Sequence, residues 1–183
     1  MKNVLEYLEY TAGRLPDKRA VTDPETSLTF RELERKAKGV GTYLAKVCSA
    51  SLGSPVGIFM GKSADALAVM LGIVYAGCFS VFLNTEQGSL RLRKMAETAR
   101  LKVVLTDREE EAVQVLSEPD DPAGGRKPFQ APGADAEADF CLADVMDALS
   151  FEPDEELLLR IRSRQVDTDP LYCNFTSGST GTP

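Results

Sequence analysis

The sequence contains no histidine among its 183 residues and only four cysteines. The absence of histidine removes the commonest general base and the commonest zinc ligand from the chain. The cysteines, Cys48, Cys78, Cys141 and Cys173, are far apart and form no Cys-x-x-Cys pair. We therefore predict small, buried apolar side chains in a reducing compartment, not a disulfide or a metal site.

Basic residues are also scarce: 21 Lys and Arg stand against 28 Asp and Glu, for a net charge of −7. They form no patch, which argues against nucleic acid as a partner. Glu6 and Glu9 interrupt the apolar segment that a signal peptide would need, so we expect a cytoplasmic protein. Without such a signal, the glycosylation motif at residues 174–176 is coincidental.

One uncharged run, residues 66–85, has the length of a membrane span. Gly72, Gly77 and Ser80 interrupt it, and its helix formers give way to the aromatic and β-branched "FSVFL". This change of pattern predicts a buried helix followed by a buried strand, and no membrane partner.

The central part of the chain alternates strand patterns with helix patterns. Thr29 and Glu32 form a capping box that opens a helix at residues 30–47, in which glycines at 39 and 41 would let another backbone approach. "SPVGIFM", "FSVFL" and "KVVLTD" are strand patterns. The helices between them are predicted to be capped by Ser63 and Ser89. The alternation predicts an α/β fold with a parallel-rich sheet and helices on both faces.

The two ends of the chain have weaker patterns. The first helix, "NVLEYLEYTAG", is predicted to close at Gly13, and "RAVTD" and "SLTF" to form two short strands. The helix that begins at Ser89 would direct Leu90, Met95 and Ala99 inward. Residues 117–139 are rich in Pro, Gly, Asp and Ala and predict a flexible insertion. "FCLADVMDALS" and "EELLLRIRSRQ" are either short helices or a strand pair, and "DPLYCNF" is a last strand.

A loop of small and hydroxylated residues follows this last strand, at residues 176–183. Gly-rich loops after strands commonly bind phosphate through converging backbone N–H groups. Gly178 and Gly181 do not have the spacing of a Walker loop, and no lysine is present in the loop. The three glycines of a dinucleotide fingerprint and the Gly-x-Ser-x-Gly of a nucleophile elbow are also missing.

The block "FTSGSTGTP" resembles the phosphate-binding signature of the AMP-binding enzyme family. This superfamily of ATP-dependent carboxylate-adenylating enzymes contains acyl-CoA synthetases, luciferases and peptide-synthetase adenylation domains. "LTFREL", "GIVYAGCFSVFLN" and "LRLRKMAETARLKVVLTD" are similar to other family segments, in the family's order. The chain therefore resembles a truncated, first N-terminal subdomain, residues 1–183. It departs from the family at residues 81–85, which lack two common prolines.

The resemblance implies an enzyme that joins a carboxylate, with an amino acid as the preferred candidate, to ATP as an acyl-adenylate and releases pyrophosphate. The thiol of a carrier protein or of CoA then takes the acyl group, and AMP leaves. It implies binding of the β- and γ-phosphates by six residues: Thr176, Ser177, Gly178, Ser179, Thr180 and Gly181. We assign no catalytic or metal-binding residue to this chain. The acid that would bind Mg²⁺, the adenine and ribose contacts and the catalytic lysine are expected outside it, so the chain alone is predicted to be inactive.

Two alternatives remain open on the sequence. The chain could belong to a fatty-acyl or aryl-CoA ligase, because the substrate pocket is expected downstream. It could also be a non-catalytic remnant that binds nucleotide phosphate or a partner, with self-association through exposed sheet edges.

Overall fold

The computed structural model describes residues 3–116 and 141–175. Within them the chain forms these helices and strands, in order: α1 Leu5–Arg14, β1 Arg19–Thr22, β2 Ser27–Thr29, α2 Phe30–Lys46, β3 Pro55–Phe59, α3 Ala64–Tyr75, β4 Phe79–Phe82, α4 Ser89–Ala99, β5 Val103–Thr106, α5 Glu109–Leu116, β6 Cys141–Asp144, α6 Val145–Ser150, α7 Glu155–Arg164 and β7 Tyr172–Cys173.

Five of the strands form one sheet in the order β6-β5-β3-β4-β7, and every neighbouring pair in it is parallel. Parallel neighbours need crossover connections, and helices α3 and α4 supply those that follow β3 and β4. Strands β1 and β2 form a separate antiparallel pair. The predicted parallel sheet is confirmed.

Helices cover both faces of the sheet, as predicted. The first core cluster packs α1, α2, α3, α6 and α7 against side chains that include Val56, Ile58, Val103 and Leu105. The second packs α4 and α5 against Phe59, Val81, Val104 and Leu142. Val103 and Leu105 face one cluster and Val104 the other, because successive side chains of a strand point to opposite faces.

Helices α2 and α3 begin as predicted and approach each other closely. The Thr29 hydroxyl accepts from the Glu32 N–H, and the Glu32 carboxylate accepts from the Thr29 N–H at 2.8 Å, which completes the capping box. Ser63 caps α3. A Cβ atom at Gly41 would lie 2.6 Å from the Cβ of Tyr75, so glycine is what allows this contact between α2 and α3.

Three predictions about helix ends and faces are wrong. Helix α1 continues through Gly13 and ends at Arg14. Ser89 is the first residue of α4, whose N-cap, Gly88, makes no side-chain hydrogen bond. Leu90 is 62% exposed, whereas Leu92 is fully buried. Positions 92, 95, 96 and 99 are three, four or seven residues apart and share the inner face of the helix, whereas position 90 is five residues from position 95 and lies on another side.

The segments around the predicted insertion differ from the sequence-based expectation. Residues 117–139 themselves lie outside the described residues. Residues 141–150 of "FCLADVMDALS" form a strand and a helix, β6 and α6, and residues 155–164 of "EELLLRIRSRQ" form α7. Helix α5 is not predicted by the sequence pattern. The uncharged run at residues 66–85, by contrast, contains most of α3 and all of β4, as expected. Among the described residues no helix is long and apolar enough to span a membrane.

Candidate functional site

Strand β7 lies at one edge of the described sheet and leads toward the glycine-rich loop. It pairs with β4, with Tyr172 opposite Ser80 and Cys173 opposite Val81. The Ser80 N–H donates to the Leu171 carbonyl at 3.1 Å, just before the strand begins. Since all five strands are parallel, the chain leaves β7 at the same end of the sheet as it leaves β3, β4, β5 and β6. Ligands of open α/β sheets bind beyond this carboxyl end.

The six predicted phosphate-binding residues all lie in the loop, outside the described residues. The structure therefore fixes where the loop starts. Cys173 and Phe175 are partly buried and pack against the second core cluster, which anchors the residues that precede Thr176. The prediction that the loop follows a sheet strand agrees with β7. The contacts of Thr176, Ser177, Gly178, Ser179, Thr180 and Gly181 remain predictions.

Protein groups already occupy two helix N-termini at the carboxyl end of the sheet. After β3, Ser63 Oγ accepts from the Ala66 N–H, and Asp23 Oδ2 accepts from the Ala64 N–H at 2.7 Å. After β6, Asp144 Oδ1 accepts from the N–H groups of residues 146 and 147. These carboxylates take the place that an anionic ligand would need.

The connections after β4 and β5 are also held by their own side chains. Asn84 Oδ1 accepts from the Glu86 N–H at 3.1 Å and forms an Asx turn. This turn spans Thr85, one of the two positions at which the chain lacks the family's common proline. After β5, Thr106 Oγ1 accepts from the Arg108 N–H at 2.9 Å. The Arg108 guanidinium pairs with Asp107 and Glu111, so acidic neighbours offset its charge. The loop after β7 therefore stands out by its hydroxyls and glycines.

The contact between Asp23 and α3 was not predictable from local pattern. The stretch "DPETS" indicates only a turn, and Asp23 Oδ1 does accept from the Glu25 and Thr26 N–H groups, as a turn residue would. Its second oxygen caps a helix 41 residues further along the chain. Only the folded arrangement of the β1–β2 pair beside α3 brings the two together.

Asp23→Asn is expected to lower the stability of the chain at neutral pH and to have little effect in acid. Hydrogen bonds from the N–H groups of Ala64, Glu25 and Thr26 hold the pKa of the Asp23 carboxyl below its usual value. The unfolded chain then takes up this proton at a higher pH than the folded chain. The resulting stabilisation is complete above the unfolded pKa of about 3.9 and is lost as the pH falls through the folded pKa.

Urea unfolding of the two proteins from neutral pH down to about pH 3 measures this difference. Asp17→Asn is the control, because it removes the same charge from an exposed pair with Arg31. We expect a smaller change from it. Parallel stability profiles for wild type and Asp23→Asn over the whole range would contradict the prediction.

Comparison with known proteins identifies the fold that delivers this loop. The family model described as "AMP-binding enzyme" matches residues 8–183. The chain belongs to the AMP-binding enzyme family.

Relatives of this chain include peptide synthetases. A linear gramicidin synthase of Brevibacillus parabrevis is 31% identical over 183 residues, which cover 98% of this chain and 2% of the relative. Nonribosomal peptide synthetase hkm11 of Aspergillus hancockii is 29% identical over 180 residues, 98% of this chain and 12% of the relative. The chain thus spans a small part of the length of these relatives.

Two of the solved structures that match share the fold of this chain. The N-terminal subdomain of NpsA from Klebsiella oxytoca superposes with a TM-score of 0.71 at 18% identity, over all of this chain and 41% of that one. O-succinylbenzoate coenzyme A synthetase (MenE) from Bacillus subtilis, in complex with AMP, gives 0.69 at 18% identity with the same coverage. The described sheet and helices therefore have the fold of about two fifths of each of these two chains.

Proposed function

We propose that this chain is the phosphate-binding part of an enzyme that activates a carboxylate as its acyl-adenylate with ATP. The observation that carries the proposal is the block "FTSGSTGTP", which starts at Phe175, two residues beyond β7, at the carboxyl end of a parallel sheet. Four hydroxyls, at residues 176, 177, 179 and 180, together with backbone N–H groups suit the β- and γ-phosphates of ATP. In the reaction these two phosphates leave as pyrophosphate.

An amino acid is the proposed substrate, and the thiol of a carrier protein the proposed acceptor. The peptide-synthetase names of the relatives support this choice. So does a structural neighbour described as an artificially fused adenylation–PCP di-domain, which matches with a TM-score of 0.62 over 81% of this chain. The match to MenE, a coenzyme A synthetase, supports the alternative in which the substrate is an aryl acid and the acceptor is CoA.

The described residues do not by themselves form a metal site. They contain no group of three or more His, Cys, Asp or Glu side chains that could hold a metal ion. We therefore assign to this chain no step that uses the metal. The acid that would bind it remains expected outside residues 1–183.

ATP–pyrophosphate exchange on the gene product that contains this chain tests the proposed activity. We expect exchange that depends on one or a few amino acids. Exchange with an aryl or fatty acid alone would favour the CoA-ligase alternative. A folded gene product that shows no exchange with any of these carboxylates would overturn the proposal, because adenylate formation is reversible in this assay.

Residues 1–183 by themselves are expected to bind ATP poorly. Mg-ATP at millimolar concentration should shift the melting temperature by less than about 1 °C, since a ligand stabilises a protein only to the extent that it binds the folded state. Differential scanning fluorimetry measures this shift, with inorganic pyrophosphate as the comparison ligand. A shift of several degrees would contradict the expectation and would mean that the loop binds phosphate unaided.

The binding-remnant alternative is supported by the edge of the described sheet. Strand β7 is the last strand of the described sheet, and Leu171 just before it is 38% exposed and Tyr172 within it is 58% exposed. A second copy of the chain could cover such an edge. Sedimentation that depends on protein concentration but not on ATP would favour this function over adenylation.

A further inference from the structure

Arg91, in the first turn of α4, is a partly buried arginine without an ionic partner in the described part of the chain. Its Nε atom is shielded from solvent and forms no hydrogen bond within residues 3–116 and 141–175. Arg162 is also partly buried, but its guanidinium lies 3.7 Å from a Glu6 oxygen and 3.8 Å from a Glu9 oxygen. A cation that is withdrawn from water is stabilised by a negative partner, so we expect an anion at Arg91.

A polar atom of the opposite kind precedes α4. Gln87 Oε1 is buried and, within the same described residues, accepts no hydrogen bond. Backbone bonds hold the two residues in one short stretch. The Gln87 N–H donates to the Asn84 carbonyl at 2.9 Å, and the Arg91 N–H donates to the Gly88 carbonyl at 3.0 Å. A donor and an acceptor that both lack partners therefore lie four residues apart at the start of α4.

The topology of the sheet places this stretch beside the start of the glycine-rich loop. Strand β4 leads to Gln87, and its neighbour β7 leads to the loop, both at the carboxyl end of the sheet. Leu92, which follows Arg91, belongs to the second core cluster, and Phe175 packs against the same cluster. A ligand at the carboxyl end of β4 and β7 could therefore contact the start of α4 and the loop together.

Phosphate suits this pair of atoms better than a carboxylate does. A guanidinium presents N–H donors in a fork that matches two oxygens of either group. An ionised carboxylate only accepts hydrogen bonds, so it would leave Gln87 Oε1 without a donor. A phosphate group has further oxygens, which can carry a proton or an ordered water toward the Gln87 side chain.

We propose that Arg91 and Gln87 bind one of the phosphates that leave ATP as pyrophosphate, from the opposite side to the hydroxyls of the glycine-rich loop. The identity of the nucleotide rests on the proposed function, whereas the phosphate site rests on the two side chains. Gly88, the N-cap of α4, has no side chain that could cap the helix, unlike Ser63 and Asp144. The positive end of the α4 dipole therefore adds to the attraction that Arg91 exerts on the anion.

Calorimetric titration of inorganic pyrophosphate into the gene product that contains this chain tests the site without any need for turnover. Arg91→Gln is expected to raise the Kd for pyrophosphate by about tenfold or more, because it removes a hydrogen bond from a charged donor. Arg91→Lys should give an intermediate Kd, since it keeps the charge and loses the fork. Lys94→Gln is the matched control, because it removes the same charge from an exposed position of the same helix, and it should leave the Kd unchanged.

Urea unfolding of the same variants identifies the competing partner, a carboxylate from another part of the protein. Such a partner would make Arg91→Gln less stable than Lys94→Gln at an unchanged Kd for pyrophosphate, and this result would overturn the proposal. Equal Kd values for Arg91→Gln and Lys94→Gln, or no pyrophosphate binding by the wild type at millimolar concentration, would overturn it as well. Pyrophosphate binding that depends on Arg91 in a protein without ATP–pyrophosphate exchange would support the phosphate site and contradict only the proposed adenylation.

Discussion

Gly72→Ala is expected to destabilise the chain by about 3 kcal/mol, and Gly72→Val to prevent folding. A Cβ atom at position 72 would lie 2.4 Å from the Cβ of Val40 and 2.8 Å from the Ala37 carbonyl oxygen. Non-bonded carbon atoms are optimally about 3.5–4.0 Å apart, so α3 would have to move away from α2. Val40 and Ala37 are fully buried, which leaves them no room to yield.

Gly13→Ala is the matched control for this prediction. Gly13 also lies in a helix, but nothing stands within 4 Å of a Cβ atom added there. The same change should therefore stabilise the chain by about 0.5–1 kcal/mol, because alanine is the better helix former. Urea unfolding of both variants gives the two free energies. Similar values for Gly72→Ala and Gly13→Ala would mean that the contact between α2 and α3 can open without loss of stability.

The sequence alone shows which small residues would allow a close contact, but not which helix packs against them. Its pattern predicts that the glycines at 39 and 41 allow close approach. The structure confirms this, since a Cβ atom at Gly39 would lie 2.6 Å from the Phe151 carbonyl oxygen. Gly72, in contrast, is only an interruption of an apolar run at the level of sequence. Which helix lies against it depends on how α2 and α3 pack on the sheet, and no nearby residue encodes that.

Capping and periodicity predicted the central helices well because their signals are redundant. Thr29 and Glu32 mark the start of α2 by two reciprocal hydrogen bonds, and its apolar face repeats over four turns. Helix α4 has one weak start signal, and its inner face contains Leu92, three residues before Met95, and not Leu90, which is five residues before it. Helix α5 opens with three glutamates and is short, so its pattern was too brief to recognise.

The strand order and the site depend on different kinds of information. Nothing in the "SPVGIFM" pattern says that β3 lies between β4 and β5, since any buried strand has such a pattern. The candidate phosphate loop was identified by the order of its residues, and β7 by the apolar stretch before it. The pairing of β7 with β4 and the cap that Asp23 provides to α3 required the folded chain.

Substitution of Ser177, Ser179 and Thr180 together by alanine is expected to reduce ATP–pyrophosphate exchange by about 100-fold or more in the gene product that contains this chain. Each hydroxyl is proposed to donate to the β- or γ-phosphate, and loss of a single donor at a developing charge commonly lowers kcat by about 100-fold. Thr168→Ala is the control. Thr168 is an exposed threonine before β7, and its loss should leave exchange unchanged.

Binding of a non-hydrolysable acyl-adenylate analogue distinguishes this phosphate role from general damage to the site. The analogue carries the acyl group and the adenosine, but neither of the phosphates that the loop is proposed to hold. The triple variant should therefore bind the analogue almost as tightly as wild type while its KM for ATP rises. Equal losses for ATP and the analogue would mean that the loop supports the whole site and not the leaving pyrophosphate, because only a phosphate contact can separate the two ligands.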